Sequence, residues 1–317
     1  MKRLLSIVVP VYNEAPNIQI LVESVAAVMD RNHQTFEILL VDDGSRDHTF
    51  DAIRRAAEKD SRVRGIRFRR NFGQTAAIKA GAEHAQGEVC ITMDGDLQHD
   101  PEQIPRFLQK IDEGFDLVCG FRKKRNDSLF RRIPSKVANF LARKISGLRL
   151  SDFGSTYRAY RTSLLKEIPM YGEMHRFVPI FFAGVSSRIT EIPINVQPRR
   201  FGKSKYGLGR TLRVFSDLLS LFFFSGFFNR PIHIFGYMAI LLGLPGFLIL
   251  FWLSMGKIIG SISIMDYGPL FILGVLLCLV AVQVFTSGVV CEYLLRIYYK
   301  KDRPLPYHVA ETTFKDL

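Results

Sequence analysis

Two carboxylates flanking a single glycine, Asp94-Gly95-Asp96, follow the apolar run Glu88-Val89-Cys90-Ile91-Thr92 and lead into Leu97-Gln98-His99-Asp100. The run reads as a buried strand, so the pair sits at a strand end, where a turn aims both carboxylates at one point. Hard oxygen ligands in that arrangement hold Mg²⁺ or Mn²⁺ together with substrate phosphates. The competing reading is a solvated acidic turn ahead of the helix that Asp100-Pro101-Glu102 opens, and for an Asp-x-Asp standing alone it is the stronger one. Two further polar clusters, Pro10-Val11-Tyr12-Asn13-Glu14 and Asp42-Asp43-Gly44-Ser45, also close apolar runs, and they shift the balance toward a metal-diphosphate site.

The elements that must carry these clusters show as apolar periodicity. Leu5-Ser6-Ile7-Val8-Val9-Pro10 and Ile38-Leu39-Leu40-Val41 are the continuous runs that fill parallel strands buried on both faces. Between them, Asn17 to Arg31 carries Ile18, Leu21, Val22, Val25 and Val28 at helical spacing, and Asp47 to Lys59 repeats the pattern. Val63 to Phe68, Glu88 to Thr92 and Leu117-Val118-Cys119 continue the strand series, with an alanine-rich helix over Thr75 to Ala85. Strand alternating with helix predicts an α/β fold with a doubly wound sheet. Ligands in such sheets bind at the carboxyl ends of the strands, where all three polar clusters fall. Asp43 and Ser45 also serve, on this reading, as partial caps of the following helix.

Composition changes along the chain. Its 317 residues, 48% of them hydrophobic and with a formal net charge of +13, leave room for one large or two modest domains. Ile232 to Met255 and Tyr267 to Val290 contain no Asp, Glu, Lys or Arg. Each exceeds the roughly 20 residues that cross a bilayer, so both are expected to span. Arg210, Arg213 and Arg230 precede the pair and Arg296, Lys300, Lys301 and Arg303 follow it, so the positive-inside rule places both flanks and the soluble domain in the cytoplasm. The opening Met1-Lys2-Arg3-Leu4-Leu5-Ser6 runs directly into a strand pattern without the marks of a signal peptide. Cys90, Cys119, Cys278 and Cys291 lie in apolar contexts without metal-ligand spacing and read as buried hydrophobes. Basic clusters such as Arg122-Lys123-Lys124-Arg125, Arg131-Arg132 and Arg199 to Lys205 point to membrane and phosphate. No nucleic-acid partner is expected, because no helix-turn-helix, zinc finger or aromatic RNA-binding signature accompanies them.

Two nucleotide signatures fail on inspection. Gly202-Lys203-Ser204 has Gln197 where a P-loop needs its first glycine, and Gly207-x-Gly209 meets Leu212 where a dinucleotide motif needs its third. In contrast, the clusters at 10–14 and 42–45, with Asn71-Phe72-Gly73-Gln74 and Asp94-Gly95-Asp96-Leu97-Gln98-His99 after them, resemble in that order the inverting family 2 glycosyltransferases with a GT-A fold. The resemblance is nearest to the polyprenyl-phosphate glycosyltransferases. Gly202-Lys203-Ser204-Lys205-Tyr206 ahead of two spans is most similar to the bactoprenol (undecaprenyl-phosphate) glucosyltransferases, with dolichol-phosphate mannose synthases as relatives. It implies a GT-A, Rossmann-like cytosolic domain over 1–200 with interfacial amphipathic helices, and a juxtamembrane segment over 201–230. A two-helix transmembrane hairpin over 231–299 and a cytoplasmic tail over 300–317 complete an integral protein of a bacterial-type inner membrane.

The resemblance also implies transfer of a hexose, glucose first, from a UDP-sugar to undecaprenyl phosphate. Pro10, Tyr12 and Glu14 would then line the uridine, although Tyr12 also reads as an ordinary rim aromatic, and Asp42 would accept the uracil imide proton. Asp94 and Gly95 would sit by ribose or sugar, and Asp96 with Gln98 and Asp94 would hold Mg²⁺ or Mn²⁺ against the diphosphate. Arg122, Arg131 and Ser135 match positions facing the acceptor phosphate in the dolichol-phosphate mannose synthases, with Lys203 and Lys205 as further candidates. Around them, an amphipathic helix over 131–147 carries Ile133, Val137, Phe140, Leu141 and Ile145 on one stripe, and Tyr206 to Phe228 reads as a headgroup-level segment.

Asp152, in Ser151-Asp152-Phe153-Gly154-Ser155-Thr156-Tyr157-Arg158, falls where family 2 enzymes carry an acidic residue near the acceptor. It reads as an orienting group or base paired with Arg158, or as a loop cap. A lipid monophosphate has a second pKa of about 6 and is largely dianionic near neutral pH, so it can attack without a strong base and give a β-linked product from an α-linked donor. Two other readings compete. Gln197-Pro198-Arg199-Arg200-Phe201 resembles a processive polysaccharide synthase motif, opposed by Phe201 in place of tryptophan and by only two spans. A catalytically silent nucleotide-sugar sensor or scaffold is opposed by the intact Asp94, Asp96 and Asp152. Gly236, Gly243, Gly246, Gly274, Ser287 and Gly288 permit close helix packing, and with it a homo-oligomer, without specifying a stoichiometry.

Overall fold

The computed structural model describes residues 4–122, 143, 147–168, 170, 172, 174–197, 231–260, 263–298 and 306–314. The chain divides into two compact units, Met1–Leu221 with Leu305–Leu317, and Phe222–Pro304. In the first, strand and helix alternate through β1 (Leu5–Val11), α1 (Ala15–Arg31), β2 (Phe36–Asp42), α2 (Thr49–Lys59), β3 (Val63–Phe68), α3 (Gln74–His84) and β4 (Val89–Thr92). A 3₁₀ turn at Pro101–Gln103 then leads to α4 (Ile104–Asp112), β5 (Leu117–Arg122), β6 (Arg158–Arg161), α5 (Thr162–Glu167), α6 (Val178–Phe182), β7 (Ile189–Ile194) and β8 (Val309–Thr312).

All eight strands join one sheet in the order β7-β5-β6-β4-β1-β2-β3-β8. β1 pairs in parallel with both β2 and β4, so the carboxyl ends that carry the three polar clusters lie side by side. The central strands are buried on both faces because each face has its own core. Ile7, Val9 and Val11 pack with Ile18, Ile53 and Phe107 of α1, α2 and α4, while Val8 and Leu39 pack with Ile78 of α3. Small residues let α3 lie close on the sheet: a Cβ on Gly81 would fall 2.2 Å from Val8 Cγ1. The helix start expected at Asp100-Pro101 is present as the 3₁₀ turn that leads into α4, with Asp100 Oδ1 accepting from the Glu102 amide at 3.0 Å.

Three local expectations change. The sequence reading carries the strand at Leu117 as the next member of a parallel series, whereas the antiparallel β6 stands between β4 and β5. β6 is only Arg158-Ala159-Tyr160-Arg161, bounded by two arginines and without the apolar run that marks the equally short β4, and pairing with its neighbours makes it a strand. Asp43 and Ser45 do not cap α2, which begins at Thr49 with its amide donated to Asp47 Oδ1 at 3.1 Å. Finally, residues 309–312, within the segment read as a tail, form β8 and pair antiparallel with β3, with Arg67 opposite Glu311. An otherwise open sheet edge is thereby covered.

The second unit is a hairpin of α7 (Pro231–Ile258) and α8 (Gly268–Tyr298). Both are long and apolar enough to cross a membrane, and only 11% of the apolar window of each is buried, which a core helix of a soluble protein would not tolerate. Small residues serve the hairpin itself: a Cβ on Gly246 would meet Leu277 Cβ at 2.8 Å and one on Gly288 would meet Phe235 Cβ at 2.5 Å, while Gly236 faces open space. The helix expected over 131–147 lies outside the described residues apart from positions 143 and 147, as does the segment 201–230.

Candidate active site

Side chains lace the loops after β1 and β2 together. Asn13, in the left-handed region at φ 53°, donates its amide to Ser45 Oγ at 2.8 Å and accepts the Arg46 amide on Oδ1 at 2.9 Å. The next amide, of Glu14, donates to Thr49 Oγ1 at 2.9 Å. Pro10, Tyr12 and Glu14 lie half-buried along this seam. Asp42 closes β2 fully buried, with Oδ1 accepting the Ser45 amide at 2.9 Å. Its Oδ2 has no hydrogen-bond partner among the described residues, and Arg67 Nε stands 3.8 Å away. Burial raises the Asp42 carboxyl above its ordinary range against the opposing bonds from Ser45. A buried carboxylate oxygen without a donor is costly, so an N–H brought to this oxygen would be stabilising. Asp43 instead faces the loop before α3, accepting the Phe72 amide at 2.7 Å and the Gly73 amide at 3.0 Å, and burial pushes its pKa up to about 6.

Asp94 ties three elements together. Its Oδ1 accepts from Gln74 Nε2 at the start of α3 and from Thr156 Oγ1 ahead of β6, each at 2.8 Å. Its amide donates to His99 Nδ1 at 3.0 Å, which places the proton of the neutral ring on Nε2, 4.0 Å from Asp94 Oδ2. The buried His99 ring stacks on Tyr157 at 4.8 Å. Gly95 is required by proximity, since a Cβ there would fall 2.5 Å from Val11 Cγ1 at the end of β1. Asp96 is buried and turns back so that Oδ1 accepts the Gln98 amide at 3.1 Å, with Leu97 between them at φ 62°. Gln98 Nε2 donates to the Gln197 carbonyl at 3.3 Å.

Among the described residues no three His, Cys, Asp or Glu side chains form a preformed cage. Asp94 and Asp96, with Gln98 beside them, would supply a cation with fewer hard oxygen ligands than it takes, so other oxygen atoms would have to complete its shell. Mg²⁺ sites that bind with phosphates are built this way.

The sequence reading pairs Asp152 with Arg158; the structure pairs it with Arg122. Arg122 Nε donates to Oδ2 at 2.8 Å and Nη2 to Oδ1 at 3.3 Å, and the Gly154 amide reaches Oδ1 at 3.1 Å, so Asp152 also acts as a loop cap. Arg158 is buried in β6 with its guanidinium on the carbonyls of Phe153, His175 and Arg176, at 2.7, 2.8 and 3.2 Å. The direction of the side chain from a four-residue strand, invisible in sequence, decides between the two. His175 is buried too, its Nδ1 2.9 Å from Thr75 Oγ1, which also accepts the His175 amide at 3.2 Å. Burial, with Arg176 and Arg158 nearby, pushes its pKa down to about 3 and keeps the ring neutral.

The structure thus brings Pro10, Tyr12, Glu14, Asp42, Asp94, Gly95, Asp96 and Gln98 to adjoining strand ends and joins Asp152 to Arg122. Arg131, Ser135, Lys203 and Lys205 lie outside the described residues. Gln74, Thr156, His99, Thr75 and His175 are not singled out as site residues by sequence. Gln74, Thr156 and His99 stand inside quoted motifs, and that adjacency is the available signal. Thr75 and His175 meet across a long stretch of chain and have none.

Comparison with known proteins places this geometry among relatives. Residues 6–169 match the model of glycosyl transferase family 2. A dodecaprenyl-phosphate galacturonate synthase from Rhizobium johnstonii is 43% identical over 98% of this chain and 93% of its own length. An undecaprenyl-phosphate 4-deoxy-4-formamido-L-arabinose transferase from Edwardsiella ictaluri is 37% identical over 92% of this chain and 89% of its own. Among solved structures, glucosyl-3-phosphoglycerate synthase from Mycobacterium tuberculosis, in complex with Mn²⁺ and UDP-glucose, superposes with a TM-score of 0.54 at 22% identity, covering 69% of this chain and 78% of that one. Mannosyl-3-phosphoglycerate synthase from Rubrobacter xylanophilus does so with a TM-score of 0.57 at 14% identity, over 70% and 74%. At these identities the two structures show a shared GT-A fold.

Proposed function

We propose, from the premise that this chain belongs to glycosyl transferase family 2, that it transfers a sugar from a UDP-linked donor to a polyprenyl phosphate with inversion, at the cytoplasmic face of an inner membrane. The observation that carries this reading is the placement of Asp42 and of Asp94-Gly95-Asp96 after the carboxyl ends of β2 and β4, on either side of β1, with Asp42 Oδ2 buried and without a hydrogen-bond partner among the described residues. That oxygen is suited to the uracil imide N–H, with Pro10, Tyr12 and Glu14 as walls. Asp94, oriented by Gln74 and Thr156 and flanked by Gly95, takes a hydroxyl of ribose or sugar. Asp96, with Gln98 and Asp94, holds Mg²⁺ or Mn²⁺. When bound, such a cation offsets the charge growing on the diphosphate.

On the acceptor side, Arg122, Arg131, Ser135, Lys203 and Lys205 receive the lipid phosphate. Asp152 holds the Arg122 fork in place; both its oxygens are already engaged, which favours the orienting role over that of a base. The phosphate dianion needs no proton removed: its oxygen bonds to the anomeric carbon as the bond to UDP breaks, and UDP leaves with the electron pair. Glucose, the sequence expectation, is in neither relative's name. A uronic acid is therefore placed first, following the relative at 43% identity, with formamido-arabinose next and glucose after it.

The test is transfer of labelled sugar from UDP-galacturonate, UDP-4-deoxy-4-formamido-L-arabinose, UDP-glucose and GDP-mannose to undecaprenyl phosphate in detergent. Reactions run with Mg²⁺, with Mn²⁺ and with chelator, beside Asp96→Ala. Metal-dependent label in the lipid phase, lost in the variant, is the expected result. Label in a polymer, or nucleotide binding without transfer from any donor, would overturn the reading in favour of a synthase or a sensor.

A further inference from the structure

The contacts of the C-terminal strand reach beyond the sheet edge it covers. Tyr307, just ahead of β8, is buried and stacks on Phe68 at 4.9 Å. Phe72 meets Phe68 edge-on at 5.7 Å and the His308 ring at 5.9 Å, and the His308 carbonyl accepts the Arg69 amide at 3.0 Å. These contacts grip residues 69–72 from one side. On the other side the same segment supplies the Phe72 and Gly73 amides to Asp43 and leads directly into Gln74, which donates to Asp94. Residues 69–73 belong to no helix or strand, and Gly73 sits at φ 93°, so their order comes from such side contacts and not from a hydrogen-bonded ladder.

We propose that Tyr307 and His308 are positioning residues for the donor side of the site. They hold residues 69–74 so that Asp43 keeps its two amide donors and Gln74 keeps its bond to Asp94. The proposal rests on the reading of Asp42 and Asp94 as donor-binding residues. It also makes a chemical distinction: the Tyr307 hydroxyl is buried without a hydrogen-bond partner among the described residues, so the ring does the positioning and the hydroxyl does not.

The experiment uses full-length protein in detergent, with Tyr307→Phe, Tyr307→Ala, His308→Ala and, as a control, Asp42→Asn. UDP affinity is measured by calorimetry, KM separately for donor and lipid phosphate, and hydrogen exchange at the Phe72 and Gly73 amides. Tyr307→Ala is expected to weaken UDP binding and raise donor KM by about tenfold or more, as a misplaced site would, with the KM for lipid phosphate unchanged. Tyr307→Phe retains wild-type values. His308→Ala, at an exposed position, weakens the donor by about threefold through the lost ring contact and speeds exchange at both amides. Should Tyr307→Ala fail to fold, His308→Ala and the exchange data decide. The proposal is overturned if donor and acceptor KM rise together, if phenylalanine is as harmful as alanine, or if His308→Ala leaves exchange and donor affinity untouched while Asp42→Asn loses UDP. Unchanged UDP binding in Asp42→Asn would instead sink the donor assignment itself.

Discussion

Thr156 and Gln74 donate to the same oxygen of Asp94, so the orientation of that carboxylate depends on two neutral side chains. Thr156→Val keeps the shape and removes one donor. A hydrogen bond to a charged group contributes about 1.5–3 kcal/mol, so an equal loss of transition-state stabilisation lowers kcat/KM about 10- to 100-fold, and because the folded protein loses the same bond the melting temperature should fall as well. An unchanged kcat/KM would show that Asp94 does not need this bond. Two buried groups set a pH dependence of opposite sign. The folded pKa of His175, about 3, lies below its ordinary 6.5, so between these values the unfolded chain binds the extra proton and stability rises with pH. The folded pKa of Asp43, about 6, lies above its ordinary 3.8, so there the folded chain binds the extra proton and stability falls with pH; Asp42, also raised, acts the same way. Each single-proton slope is about 1.4 kcal/mol per pH unit, so His175 and Asp43 nearly offset one another between about pH 4 and 6. His175→Gln removes one side. Thermal melts in detergent across that range should then show stability falling as pH rises, and a slope matching the wild type would mean that His175 is not held neutral.

At the scale of elements, the Asp-x-Asp turn is held against β1 by the absence of a side chain. Gly95→Ala would place a Cβ 2.5 Å from Val11 Cγ1, and overpacking of this kind costs about 1–3 kcal/mol. Lowered stability and activity are expected, with partial recovery in Gly95→Ala/Val11→Ala because the opposing methyl is gone. Failure of the double variant to recover either property would place the strain elsewhere. The central elements were legible in sequence because burial on both faces leaves continuous apolar runs, as in β1 and β2, and because Asp100-Pro101 marks a helix start. β6 and β8 were not, since Arg158-Ala159-Tyr160-Arg161 and Val309-Ala310-Glu311-Thr312 lack the uninterrupted apolar run that marks the equally short β4, and their partners are distant in sequence.

For the whole molecule, the globular unit contains chain from before and after the apolar hairpin. If α7 and α8 cross a bilayer, both ends of the hairpin emerge on one face and the turn between them on the other. Gly260, in that turn, and Ala310, in β8, are both exposed and serve as reporter positions for the two faces of that expected topology. In right-side-out vesicles, a membrane-impermeant maleimide should label Gly260→Cys, and should label Ala310→Cys only after permeabilisation. Labelling of Ala310→Cys in intact vesicles would put the catalytic unit on the outer face.

The sequence by itself determined the α/β class, the two apolar helices, the family and the residues at the strand ends. Each of these is written locally, in burial period, uninterrupted apolar length, or short motifs whose spacing the turn chemistry constrains. Only the tertiary structure decided that Arg122 rather than Arg158 faces Asp152, that Thr156 and Gln74 share one oxygen of Asp94, that His175 is buried on Thr75, and that the segment beyond the hairpin completes the sheet. Those partners lie far apart along the chain, and which face a side chain takes depends on strand order and direction, which no local pattern encodes.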